Sequence, residues 1–245
     1  MATNYLQVNY DGTMFQYSKD SKEGFVEHTN SAGTKSYRKY YNKGVTGALS
    51  HVDKRVNEKL NNTEEIRVHL KDGEEIYVLT FRTMGQNDQV DEYTEQLIRY
   101  LPKMEKGVVY TINNWYMKKG DTINGEEVKY DNKGLTVKVA DTKVEPALSY
   151  QTENNPKGDI PRLEFKEIAG KKKVSAVSKE TKFEFLYTKL VENVERLAWK
   201  DNGNPNQVST PKQETPKNAV PTASQKEAFE PATNYREEEH SDLPF

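Results

Sequence analysis

Cysteine is absent from this chain of 245 residues. That excludes disulfides, thiol nucleophiles and cysteine-ligated metals, and it suits a reducing compartment. Histidine is scarce. The four present, His28, His51, His69 and His240, show no metal-ligand spacing along the sequence. No apolar run approaches the roughly 18 residues that a membrane helix needs. The opening MATNYLQVNY lacks the pattern of a secretion signal. A cytoplasmic chain without a membrane partner is the expectation.

Enzyme signatures are also missing. Gly170-Lys171 runs on into further lysines, without the Ser or Thr that a phosphate loop requires. No Gly-x-Ser-x-Gly elbow occurs. One spacing keeps an enzymatic alternative open. Asp159, Glu164 and Lys166 supply two carboxylates and a lysine, the layout of many restriction-type nucleases. Such a site needs a mixed α/β core around it, whereas Pro156 and Pro161 argue for a loop. The reading is a non-enzyme with no metal and no cofactor.

What is present is unevenly distributed. Hydrophobic residues make up 34% of the chain and charged residues 30%, with a net charge of −2. Residues 201–245 hold 4 of the 36 Lys and Arg but 8 of the 38 Asp and Glu. The first 200 residues therefore carry 32 basic groups against 30 acidic ones, a mildly basic body before an acidic tail. Six of the ten prolines lie beyond residue 200, among many Asn, Gln, Ser and Thr. Such a segment buries too little apolar surface to offset its ordering entropy. Three units are expected: a body over 1–200, a disordered linker over 201–236 and an acidic tip, EEEHSDLPF, over 237–245. A flexible coil of about 40 residues reaches on the order of 35 Å.

Within the body, NYLQVNY reads as a strand, followed by polar turns at Gly12, Gly24 and Gly33. GVTGALSHVDKRV reads as a long strand bent near Gly47. EEIRVHL alternates, with Ile66, Val68 and Leu70 on one face and Arg67 and His69 on the other. Asp72-Gly73 marks a hairpin turn, and EEIYVLTFR returns as the third strand. Val90, Tyr93, Leu97, Ile98 and Leu101 then fall at helical spacing, with Asp88 as cap and Pro102 as stop. GVVYTINNWYMKK and GLTVKVA follow as strands, with an extra hairpin in INGEEVKY between them. Three strands, a helix and two strands is the order of an OB-fold, a small five-stranded barrel. The predicted class is mainly β: an OB-like barrel with an N-terminal extension, a C-terminal helix and a disordered tail. That last helix is TKFEFLYTKLVENVERLAW, with Thr181 and Glu184 as capping box and Phe183, Leu186, Leu190, Val194 and Leu197 as its apolar stripe. The stripe suits packing on the barrel, with self-association into a homo-oligomer as the alternative.

Single-stranded nucleic acid is held by cations along its backbone and by flat side chains on which bases stack. SYRKYYNKG supplies both, in Tyr37, Arg38, Lys39, Tyr40, Tyr41 and Lys43. NNWYMKKG repeats the mixture with Trp115, Tyr116, Lys118 and Lys119. Arg67, His69 and Lys71 share the non-core face of the second barrel strand, and Tyr77 and Phe81 share a face of the third. In an OB-fold these two strands and their loops form the binding surface. Tyrosine is favoured in strands in any case, and the period of two sends about half of these rings into the core. Lys171, Lys172 and Lys173 read as a solvated run.

An OB-like body, a Pro- and Asn/Gln-rich linker and the ending SDLPF together resemble the single-stranded DNA-binding proteins of bacteria and phages. Bacterial members end in acidic residues followed by Asp, an aliphatic residue, Pro and Phe, matched here by Asp242, Leu243, Pro244 and Phe245. The resemblance implies coating of exposed strands without sequence specificity during replication, recombination or repair. It also implies that Leu243, Pro244 and Phe245 dock on replication or recombination proteins, with Glu237, Glu238, Glu239 and Asp242 adding long-range attraction. The longer body is closer to a phage replication protein, which would place the chain in the host cytoplasm. It also removes any ground for assuming a tetramer. An OB-like body that binds protein or sugar beside an unrelated tail is the alternative left open.

Overall fold

The computed structural model describes residues 2–58, 61–85, 89–123, 125–168 and 170–199. The linker and the acidic tip lie outside these residues, as does Asp88. The N-terminal stretch is more structured than its polar composition suggests. It forms four strands, β1 (Ala2–Val8), β2 (Met14–Ser18), β3 (Val26–Thr29) and β4 (Lys35–Tyr40). The residues Gly12, Gly24 and Gly33, expected as turns, do close these connections with positive φ. NYLQVNY, expected as a strand, forms β1, whereas β2, β3 and β4 escape the sequence pattern because each is short and flanked by polar turns.

Next come the expected barrel strands, β5 (Val45–Asn57), β6 (Thr63–Asp72) and β7 (Glu75–Arg82). The β6–β7 turn is Gly73-Glu74, one residue later than the sequence suggests, because Asp72 still pairs with Glu75. Helix α1 (Glu92–Tyr100) follows. Its cap is Asp91, whose carboxylate accepts from the Tyr93 and Thr94 amides. Pro102 sits in a single 3-10 turn that ends the helical run. Then come β8 (Val109–Met117), the small hairpin β9 (Thr122–Ile123) and β10 (Glu126–Glu127), β11 (Asn132–Val139) and β12 (Thr142–Lys143). A second small hairpin, β13 (Phe165–Ile168) and β14 (Lys171–Val174), leads into α2 (Ala176–Leu197).

Ten strands form one sheet in the order β12-β11-β8-β5-β6-β7-β1-β2-β4-β3. The expected closed barrel is not what the ladders draw. The free edge of β7 is taken by β1, which runs parallel to it from Ala2↔Glu75 to Gln7↔Thr80. Among the described residues no ladder joins β7 to β11. The N-terminal extension therefore continues the sheet instead of decorating it.

The core lies on one face of this sheet. Val52, Val68, Leu79 and Leu6 pair side by side across four strands, each fully buried. Leu97 and Ile98 of α1 and Leu186, Leu190 and Leu197 of α2 complete it. Helix α2 thus packs on the sheet, as its stripe predicts. It begins earlier than the sequence suggests, after Ser175, and Thr181 lies inside it with its hydroxyl donating to the Val177 carbonyl.

Candidate nucleic-acid interface

The period of two decides where the aromatic and basic residues point. Register pairs place Arg67, Thr80 and Gln7 in one row, and His69, Val78 and Tyr5 in the next. Gln7 leads on to Phe15 and Tyr40, while Tyr17 pairs with Arg38 and Arg38 with Val26. All of these lie on the face turned away from the core. Tyr5, Tyr17 and Tyr40 are 57%, 48% and 39% exposed there. The Arg38 guanidinium stacks over the Phe15 ring at 4.3 Å. Lys71 continues the same face, exposed. Tyr5 and Tyr17 escaped the sequence reading, although NYLQVNY and MFQYS both alternate in a way that could have revealed them.

The run SYRKYY is therefore not one cluster. Arg38 and Tyr40 belong to this outer face. Tyr37, Lys39 and Tyr41 belong to the other, where Lys39 lies 5.6 Å from the Tyr41 ring and Tyr41 meets Tyr77 edge-on at 6.0 Å. The Tyr77 hydroxyl donates to the Glu75 carboxylate. That bond and partial burial raise its pKa. Phe81 must be withdrawn from the candidate surface. It is 1% exposed, opposite Ile66 in the core, because it follows Leu79 on the buried face of β7.

Tyr41 reaches a different partner. A cleft of about 300 Å³ runs between the β1–β2 turn, Tyr41-Asn42 and the end of β8. It brings Tyr41 together with Asn114, Trp115 and Tyr116, so the two basic-aromatic runs of the sequence meet in space. Close packing makes this possible. Gly44 has φ +84, and a Cβ there would lie 2.6 Å from the Ile112 carbonyl oxygen. Trp115 is half-buried across its partner Gly134. Tyr10, also missed and 63% exposed, meets Tyr116 at 5.9 Å with the Lys133 ammonium 3.2 Å from its ring centre. Lys43, Lys118 and Lys119 are exposed nearby in sequence. The Lys118 and Lys119 amides donate to the Asp121 and Asp131 carboxylates, which fix that turn.

Arg67 and His69 are less available than their face suggests. Arg67 donates two bonds of 2.7 Å to Asp53 across the β5–β6 ladder. The His69 ring stacks on His51 at 3.8 Å. Burial, followed by the neighbouring His51, pushes the His69 pKa down to about 4, and burial lowers that of His51. Both rings are neutral at neutral pH, so His69 supplies no cation to a phosphate backbone. The Asp53 carboxylate stays below its ordinary value. Burial opposes its charge, but the Arg67 bonds and charge outweigh burial.

Two of the residues with nuclease spacing have other neighbours. The Asp159 carboxylate accepts from the Ser149 amide and hydroxyl at 2.9 and 3.1 Å, and Lys166 faces Lys173 across the β13–β14 hairpin. Among the described residues the metal-competent cluster is instead His51, Asp53 and His69. Sequence spacing concealed it, because two strands contribute. No family model matches the chain, and neither a curated protein nor a solved structure does.

Proposed function

We propose that this protein binds single-stranded DNA without sequence specificity and takes no part in chemistry. The carrying observation is the row of exposed tyrosines, Tyr5, Tyr17 and Tyr40, on one sheet face with Arg38 among them. Flat rings spaced along a sheet accept any base, and cations between them follow the backbone. The cleft of Tyr41, Trp115 and Tyr116 supplies a second stacking position.

The strand order supports an OB-type ancestry. Strands β11-β8-β5-β6-β7 follow the OB order, with α1 between β7 and β8. On this reading β1 has entered the seam where such a barrel closes, and it extends the binding face across the N-terminal strands. The ending SDLPF supports recruitment of replication or recombination proteins by the tip, on its likeness to the bacterial termini.

The test is titration of labelled oligo-dT and a matched duplex at several salt concentrations. Preference for the single strand, weakening as salt rises, is expected. Equal affinity for both, or no binding at low salt, removes the proposal and returns the exposed tyrosine face to protein docking. Deleting Glu237–Phe245 should leave DNA binding intact or tighter and abolish partner recruitment.

A further inference from the structure

A β-bulge decides which side chains of β5 reach the outer face of the sheet. The β5–β6 register shifts between Leu49 and His51, leaving Ser50 as the extra residue. A bulge re-aims every side chain beyond it. Leu49 faces the core opposite Leu70, yet His51 faces outward opposite His69. Asp53 follows on the same outward face, opposite Arg67. Three ligating side chains far apart in the pattern of the sequence are thereby brought to one spot.

We propose that His51, Asp53 and His69 form a binding site for a zinc-class divalent cation. One ligand atom from each residue lies within 4.8 Å of the others. Asp53 Oδ2 is 3.3 Å from His69 Nε2 and 4.0 Å from His51 Nε2. A tetrahedral ion with bonds of about 2.0–2.1 Å needs ligand atoms roughly 3.3–3.5 Å apart. Closing that difference requires the two imidazoles to turn out of their 3.8 Å stack toward Asp53. Two imidazoles and one carboxylate suit zinc, cobalt, nickel or copper. Magnesium and calcium prefer all-oxygen shells.

The surroundings have the form of an outer shell. His51 Nδ1 lies 3.1 Å from the Ser50 hydroxyl, which orients the ring and leaves Nε2 for an ion. His69 Nε2 is buried and has no hydrogen-bond partner despite its closeness to Asp53. An unsatisfied buried nitrogen calls for an explanation, and a ligand role supplies one. Arg67 takes one bond on each Asp53 oxygen and holds the carboxylate in place. A carboxylate has about four lone-pair sites, so Oδ2 retains one for a metal. The guanidinium charge weakens the ion's attraction, which sets the affinity below that of a closed structural zinc site. Side-chain exposures of 17% and 30% at His51 and Asp53 give an ion a way in from solvent, with the buried His69 nitrogen behind them.

This proposal is independent of DNA binding. Its test uses the full chain, stripped with chelator, in zinc calorimetry and in cobalt titration followed by visible absorption. Saturable binding of one ion per chain is expected, with the intense bands of tetrahedral cobalt and no competition from millimolar magnesium. His51→Gln and His69→Gln should each weaken binding by at least about tenfold, the loss seen even when an outer-shell partner is removed. His28→Ala should change nothing. Thermal unfolding in chelator reports whether each variant is folded, and His51, the more exposed ring, provides the safer variant. No saturable binding by the wild type overturns the proposal. So does binding that survives in folded His51→Gln, since the tail's His240 and scattered carboxylates then account for it.

Discussion

Trp115 lies flat over Gly134, its cross-strand partner, so closely that a Cβ on residue 134 would sit inside the indole. The glycine is there for its missing side chain: its φ is unremarkable for a strand, and the ring needs the space. Gly134→Ala should push the indole outward and destabilise the fold by about 1–3 kcal/mol, the ordinary range for overpacking. The checks are urea unfolding and a red-shifted tryptophan emission. An unchanged spectrum would mean that the ring does not rest on Gly134.

Asn114 has neither amide atom paired, although it is 7% exposed on the core side of β8. A buried amide without partners is a standing penalty. Asn114→Leu, which keeps the branched shape and can expand toward the adjoining cleft, should therefore raise stability by roughly 1 kcal/mol. Urea denaturation of the two proteins decides it. A loss of stability would show that the amide is satisfied in solution.

The outer-face tyrosines should separate from the buried ring of β7. Tyr5→Ala, Tyr17→Ala and Tyr40→Ala should each weaken oligo-dT binding by about 1–3 kcal/mol and leave unfolding nearly unchanged. Phe81→Ala should cost about 3–5 kcal/mol of stability instead. Fluorescence anisotropy beside thermal unfolding measures both. Wild-type affinity in the triple tyrosine variant would remove this face from the interface.

Much of this was legible in the sequence. Alternation in EEIRVHL and the helical spacing from Tyr93 to Leu101 placed β6 and α1, because burial on one face imposes those periods. What stayed hidden needed tertiary information. Nothing local announces that Ser50 is a bulge, so His51 and Asp53 could not be assigned to the face of His69. Nothing local shows that β1 pairs parallel with β7, because its partner lies some 70 residues away. SYRKYY was recognised as a mixture of rings and cations, but period two divides it between two faces once its register is known.

Salt dependence should distinguish free cations from paired ones. Each phosphate contact on a single strand contributes about 0.7 to the slope of log affinity against log salt. On the proposed function, Lys71→Ala should flatten the slope by about that amount, since Lys71 is exposed on the outer face of the sheet. Arg67→Ala should barely change it, because Asp53 already holds the guanidinium. Titrations from low to moderate salt resolve this, and a large slope change for Arg67 would mean that DNA displaces Asp53.

Arg196 ties α2 to the end of the α1 segment. Its guanidinium donates to the Met104 carbonyl at 2.9 Å and to the Leu101 carbonyl at 2.5 Å, while Asn193 accepts from the same group. The Leu101 carbonyl also accepts from the Met104 amide, so Arg196 is its second donor, and a cation there meets the negative end of the helix dipole. Charged hydrogen bonds of this kind contribute about 1.5–3 kcal/mol. Arg196→Met keeps the apolar stem but removes every donor, so it should lose a sum near that range. Arg196→Lys should recover only part of it, because one ammonium cannot span both carbonyls as the planar fork does. Leu190→Ala, deep in the same helix interface, gives the packing reference at about 2–5 kcal/mol. The comparison is made by urea unfolding at neutral pH. If Arg196→Met matches the wild type, the leucine stripe alone holds α2 against the sheet.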